Sequence, residues 1–265
     1  MAADAADRAQ AARAAAGAAV IYQCASPPYT QWPALFPALT GSILGAAESS
    51  GAKLVFADNL YAYGPVDGPL REDLPAVAHG PKGKIRAGMA AQLLAAHRDG
   101  QAEVVIGRAS DYYGPRDRLD RWRDGVRADP GRKKAAMDPG VSTSRTFHFL
   151  PDIARGLLVL ADRREADGQV WHLPAAGPLT AQQFFDMIAK AAGQPVPVHA
   201  SIASPALLAA AGIFLPLLCE MRETTYQFRA PFVIDATKFE AALGHLEPTP
   251  HRDAVQRTVA WYRSR

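Results

Sequence analysis

Three short runs, AAVIYQC at 18–24, KLVFA at 53–57 and EVVIGRA at 103–109, constrain this chain more than any other feature. Each is continuously apolar and carries β-branched residues, whereas a strand with one wet face alternates apolar and polar positions. Such runs are covered on both faces. A sheet built from them is parallel, and parallel strands need long crossover connections. The chain supplies two. QWPALFPALTGSILGAAESSG lies between the first two runs and KGKIRAGMAAQLLAAHRDG between the second and third, each with apolar residues at helical spacing. Gly51 and Gly100 stand where these helices should stop. Strand, helix, strand, helix, strand predicts an α/β fold.

In an open parallel sheet, ligands bind outside the carboxyl ends of the strands. Here those ends carry CASPPY, ADNLYAYGP and RASDYYGP. Gly-Pro makes a sharp turn, and a tyrosine ring offers a flat apolar face with a hydrogen-bonding tip. Two Tyr-Gly-Pro tips beside a small-residue loop predict a binding cleft along that edge. Packing alone is the plainer reading of each tyrosine.

The pattern changes after Pro115. RDRLDRWRDGVRADPGRKKAAMDPG is polar and turn-rich, which predicts a short helix, loops and one short strand. TFHFL leads into a helix opened by Pro151 and Asp152. QVWHLP reads as a strand, and LTAQQFFDMIAKAAG as a helix whose Thr180 and Gln183 form a capping box. VPVHA reads as a last strand, with helical segments from there to the end. At ~150 residues per domain, 265 residues make one large domain or two small ones. The boundary falls between 115 and 116, with some later elements returning to the sheet.

Composition excludes several classes. With 49% hydrophobic and 21% charged residues the chain is globular. Its net charge of +3, from 29 basic and 26 acidic residues scattered along the sequence, gives no footprint for nucleic acid. Cys24 and Cys219 are far apart and in no metal-like spacing, as in a reduced cytoplasmic protein. The alanine-rich start carries acidic residues and no apolar core, so it is no signal peptide. ALLAAAGIFLPLLC at 206–219 contains Pro216 and falls short of the ~18 residues of a membrane span, so no stable membrane insertion is expected. His148 beside Asp152 could form an acid/base pair, but His148 and His172 both sit in apolar runs and read as core or hinge residues. Glu72 and Asp73 in PLREDLP read as a surface turn.

KLVFADNLYAYGP, VVIGRASDYYGPRD, TFHFLPDIARGL and QVWHLPAA resemble successive landmarks of the extended short-chain dehydrogenase/reductase superfamily, in its NAD-dependent epimerase/dehydratase branch. The resemblance runs over essentially the whole chain. It implies a Rossmann-like parallel sheet in 1–115, binding NAD or NADP. It also implies a mixed segment in 116–265 with a smaller, mostly helical substrate domain. Both Tyr-Gly-Pro tips would flank the nicotinamide and the substrate. The cofactor-binding positions it implies are Ala25, Ser26, Asn59, Arg86, Ala109, Ser110 and Tyr113. The partners it implies are a small-molecule substrate and a second copy of the chain in a homodimer.

Two departures from the family stand out. No G-x-x-G-x-x-G loop precedes AAVIYQC, where Gly17 is the sole glycine. The Rossmann unit is therefore expected to be N-terminally truncated by roughly 60 residues, the size of two βα steps. NAD(P) binding is expected to be weak or absent, because the loop that seats pyrophosphate on a helix N-terminus is missing. The family's Tyr-x-x-x-Lys pair is also replaced. Lys82 stands at the tyrosine position, Arg86 at the lysine position, and Asn59, four residues before Tyr63, at the Ser/Thr position. The usual pair works because a nearby cation lowers a phenol's pKa from ~10 towards neutrality. Arginine stays protonated and can only stabilise charge or bind ribose.

The candidate catalytic residues are thus Asn59, Tyr63, Lys82 and Arg86, with Lys82 and Arg86 as solvated helix-start residues the plain alternative. The leading function is an NAD(P)-dependent oxidoreductase or epimerase acting on a sugar nucleotide or another small carbonyl or alcohol, with atypical catalytic residues. A non-catalytic NAD(P)-binding or sensing protein, and an inactive remnant acting through partner binding, are the alternatives.

Overall fold

The structure is a computed structural model that describes residues 2–78, 80–117, 142–196, 223–228 and 230–264. The features expected over 118–141, the strand VPVHA, the apolar segment 206–219 and Cys219 lie outside the described residues.

In chain order the elements are α1 (Arg8–Ala15), β1 (Val20–Gln23), α2 (Trp32–Ser50), β2 (Lys53–Asp58), α3 (Pro81–Arg98) and β3 (Val104–Arg108). There follow β4 (Asp111–Tyr113), β5 (Ser144–Arg145), β6 (Phe147–Phe149), α4 (Leu150–Asp162), β7 (Val170–His172) and β8 (Leu179–Thr180). The chain closes with α5 (Ala181–Ala191), α6 (Thr237–Leu243) and α7 (His251–Arg263). The three continuous apolar runs are β1, β2 and β3. They lie side by side in parallel, and β7 joins as a fourth parallel strand next to β3. The order β1-β2-β3-β7 is that of an α/β Rossmann-like sheet.

Side chains alternate across these strands, so each strand feeds two cores. Leu54 and Phe56 of β2, with Val104 and Ile106 of β3, pack under α2 and α3. Val55 and Val105 face the other way, onto Ile153, Leu157 and Leu160 of α4 and Phe239 of α6. On β2 and β3 both faces are covered, which explains why they carry no polar alternation; β1, expected to be buried as well, lies at the edge of the sheet with Tyr22 40% exposed. A separate apolar cluster joins Tyr113, Phe147, Phe149 and Phe184 to Val255 and Val259 of α7.

Local signals set the boundaries. Gly51 ends α2 in the left-handed region at φ 71°, its N–H donating to the Ala47 carbonyl. Gly100, at φ 72°, closes the turn after α3. The Thr180–Gln183 capping box forms as expected: Gln183 N–H donates to Thr180 Oγ1 at 3.1 Å, and Thr180 N–H to Gln183 Oε1 at 2.8 Å. One terminus is closed from afar. Lys53, at the amino end of β2, donates to the Leu160 and Arg163 carbonyls at 2.7 and 2.9 Å, satisfying the last turn of α4.

Gly107 lets α4 approach β3. A Cβ there would lie 2.7 Å from Leu157 Cδ2 and 3.0 Å from Leu160 Cδ1. Gly107→Ala should therefore destabilise the fold by about 1–3 kcal/mol through overpacking. A lower urea midpoint with an unchanged slope is the expected readout.

Candidate functional site

The parallel register brings the strand tips to one edge, and each tip is shaped by its own hydrogen bonds. After β1, the Gln23 side chain grips the Ala25 backbone, accepting its N–H at 2.8 Å, and leaves Ala25 and Ser26 exposed on the rim. After β2, Asn59 Oδ1 accepts the Tyr61 N–H at 3.0 Å and starts the turn Tyr61–Tyr63. After β3, buried Ala109 donates its N–H to the Asp58 carbonyl at 3.2 Å. Ser110 N–H donates to His148 Nδ1 at 3.1 Å, while the buried Ser110 hydroxyl has no hydrogen-bond partner.

Beneath the tips lies a buried ionic network. Asp58, 1% exposed, accepts from Arg108 Nε at 2.9 Å through one oxygen and from Arg86 Nη1 at 3.3 Å through the other. The Arg86 guanidinium stacks over Trp32 and Phe36, 4.6 and 4.5 Å from their ring centres. Arg108 lies 4.8 Å from the centre of the Tyr63 ring. Tyr63 in turn donates its hydroxyl to His172 Nε2 at 2.8 Å, because His172 Nδ1–H is directed at the Asp235 carbonyl 3.1 Å away. The His172 backbone N–H donates to Glu72 Oε1 at 2.7 Å. Burial raises the Tyr63 phenol above its usual range, against the pull of Arg108, and also raises the Glu72 carboxyl. Burial holds His148 and His172 neutral, each lowered to about 4.

Lys82 lies to one side of this network, in the first turn of α3. Its side chain is 2% exposed, and its Nζ is 3.6 Å from Glu223 Oε2 and 5.1 Å from the centre of the Tyr29 ring. The Tyr29 and Tyr61 hydroxyls share a short hydrogen bond. Tyr61, Gly64, Gly80, Gly83, Glu223 and Tyr226 line a cavity of about 160 Å³. That is room for one six-membered ring.

The edge therefore gathers Asn59, Tyr63, Lys82, Arg86, Ala109 and Ser110, but divides them. Lys82 faces Glu223, while Tyr63 and Arg86 belong to the Asp58 network. Tyr113 is set apart, its ring against Phe149 and Phe184 and its hydroxyl 3.0 Å from His251 Nδ1. The solvated reading of Lys82 and Arg86 is corrected by their burial, at 2% and 6% exposure. Glu72 is likewise half-buried against His172 rather than a surface-turn residue. Asp58, Arg108 and Glu223 were not anticipated. The first two carried a signal, since each ends an apolar run and they occupy paired register positions on adjacent strands. Nothing local marks Glu223.

Asp58→Asn should cost about 3–5 kcal/mol in urea unfolding, because it leaves two buried guanidiniums without a counter-charge. Stability should also fall as pH drops from about 6.5 towards 4. The unfolded chain then protonates His148 and His172 while the folded state keeps them neutral, at about 1.4 kcal/mol per pH unit for each group. Urea midpoints at pH 7 and pH 5, compared with His172→Gln, measure this; a variant as acid-sensitive as the parent would contradict it.

No family model matches the chain, and no curated protein matches it. Solved structures do. A dTDP-glucose 4,6-dehydratase from Streptomyces venezuelae, with NAD bound, aligns at TM-score 0.77 and 19% identity over 98% of this chain and 78% of that one. A UDP-glucuronic acid 4-epimerase from Bacillus cereus, in complex with NAD, aligns at TM-score 0.78 and 16% identity over 97% and 79%. A nucleoside-diphosphate-sugar epimerase from Pseudomonas aeruginosa aligns at TM-score 0.74 and 19% identity over 99% and 82%. At such identities the likeness is one of fold: the chain shares the Rossmann-like α/β fold of these dehydratase and epimerase structures.

Proposed function

We propose that the chain is an NAD(P)-linked oxidoreductase of the epimerase/dehydratase type, acting on a sugar nucleotide or another small carbonyl or alcohol, with Lys82 in the place of the usual tyrosine. The observation that carries this reading is Lys82 itself. Its ammonium is almost fully buried at the carboxyl edge of the sheet, and the neighbouring Gly80, Gly83 and Glu223 line a ring-sized cavity. A buried cation beside a cavity at the carboxyl edge of the sheet, where ligands of such folds bind, supports acid/base work there.

The residues fit one end of the cofactor. The Ser110 hydroxyl, buried and without a partner, supports a nicotinamide-side contact, with Ala25 and Ser26 on the open rim and Asn59 and Ala109 behind it. They do not fit its pyrophosphate. The glycine-rich loop that would seat it has no counterpart in the residues before β1, where Gly17 is the sole glycine. When bound, the cofactor supplies a hydride acceptor or donor. The chain's own part is to move a proton at the substrate oxygen through Lys82, with the linked Tyr29 and Tyr61 hydroxyls beside it. Arg86, held by Asp58, Trp32 and Phe36, contributes fixed positive charge below the site.

The locked Arg86 favours a second reading, a non-catalytic NAD(P)-binding protein in which this arginine only supports the fold. Turnover of nucleoside-diphosphate sugars with NAD(P) separates the two. Lys82→Ala should lower turnover by at least ~100-fold, the lower end of general acid–base help, while Arg86→Ala should mainly weaken cofactor binding. Full activity in Lys82→Ala would remove Lys82 from the chemistry, whereas cofactor binding with no turnover by the unaltered chain would leave the non-catalytic reading standing. Calorimetry should find NAD(P) bound more weakly than micromolar by this chain, since helix-terminus contacts to pyrophosphate are lacking.

A further inference from the structure

We propose that Glu223 is the positioning residue of this site, acting through Lys82; the inference rests on the reading of Lys82 as the proton carrier. The first turn of α3 poses two electrostatic problems at once. A helix N-terminus presents N–H groups without intrahelical partners, and it carries a partial positive charge that disfavours a cation. The sequence worsens both. Gly80 at the N-cap has no side chain to accept those N–H groups, and Lys82 puts an ammonium into the same turn.

Glu223, 141 residues further along the chain, answers both. Its Oε1 accepts the Lys82 N–H at 2.7 Å and the Gly83 N–H at 3.3 Å. Its Oε2 is left facing Lys82 Nζ at 3.6 Å, a charge contact rather than a tight hydrogen bond. The carboxylate is thus fixed by backbone donors, and the ammonium is held by the carboxylate. The seat is cut for it. A Cβ on Gly80 would fall 2.1 Å from Glu223 Oε1 and 2.3 Å from its Cδ, so any other residue there would make the carboxylate move. Gly80, Gly83 and Glu223 also line the ring-sized cavity beside Tyr61 and Tyr226, so the same contact closes one wall of the site.

Without this carboxylate the buried ammonium loses the counter-charge that the start of α3 holds against it, and its place is no longer fixed from that side. Glu223 therefore fixes where Lys82 sits.

The test is competitive acetylation of the full chain, reading by mass spectrometry the ratio of labelling at Lys82 to that at exposed Lys84. In the unaltered chain Lys82 should react about tenfold more slowly or slower still, since it must first be released by local opening. Glu223→Gln keeps an oxygen to accept the two backbone N–H groups but removes the charge, and Glu223→Asp restores the charge on a shorter arm. The proposal expects Lys82 labelling to rise towards that of Lys84 in Glu223→Gln and to fall back in Glu223→Asp. Gly80→Ala, which unseats the carboxylate without removing it, should match Glu223→Gln. If Glu223→Gln protects Lys82 as fully as the parent residue does, Glu223 is a helix cap only and the proposal fails. It fails equally if Lys82 is labelled as fast as Lys84 in the unaltered chain. No substrate or cofactor enters the measurement, so a wrong assignment of the chemistry would show in the turnover of Lys82→Ala and leave this ratio untouched.

Discussion

The carboxylate of Asp58 is the point on which the site turns. It ends β2 in the interior and faces two guanidiniums, Arg108 from the adjacent strand and Arg86 from α3. Moving an ion out of water costs several kcal/mol, and a buried pair repays this only when geometry and extra hydrogen bonds are good. Here the geometry is shared among elements. The Asp58 side chain joins β2, β3 and α3, while its backbone carbonyl accepts from the Tyr112 hydroxyl at 2.9 Å and from the Ala109 N–H. One residue thereby fixes both strand tips that carry Tyr-Gly-Pro. The network runs on through Arg108 to Tyr63, and from Tyr63 to His172 and Glu72. Loss of any member exposes the rest to an unpaired, low-dielectric setting.

The same edge holds a second and separate charge pair, Lys82 with Glu223. The division explains how two cations four residues apart on one helix can both be buried. Arg86 is covered by aromatic faces and satisfied by Asp58, which suits a planar, weakly hydrated guanidinium. Lys82 is a compact point charge, and it meets a carboxylate that lines a cavity, with the Tyr29 ring on another side. One position is built to stay as it is. The other sits among residues, Gly80, Gly83 and Glu223, that line a cavity.

How much of this was legible beforehand can be read residue by residue. The three parallel strands, their order of connection, the stops at Gly51 and Gly100 and the Thr180 capping box all follow from contacts within a few positions, so pattern and propensity suffice for them; the exposure of β1 does not, because it depends on that strand lying at the edge of the sheet. The convergence of the three tips was legible as well, because a parallel sheet leaves its carboxyl ends on one side whatever the details. Burial of Lys82 and Arg86 was not. A basic residue in a first helical turn is usually solvated, and what covers these two is Trp32, Phe36 and Glu223, each brought in from another part of the chain.

The sequence by itself determined the layered α/β architecture and the edge where a ligand belongs, since continuous apolar runs between amphipathic helices admit few other solutions. Only the tertiary structure decided the roles of the charged groups along that edge. Charges act through space, with strengths set by distance and burial. The register that sets Asp58 opposite Arg108 and the fold that carries Glu223 to the start of α3 are properties of the assembled chain.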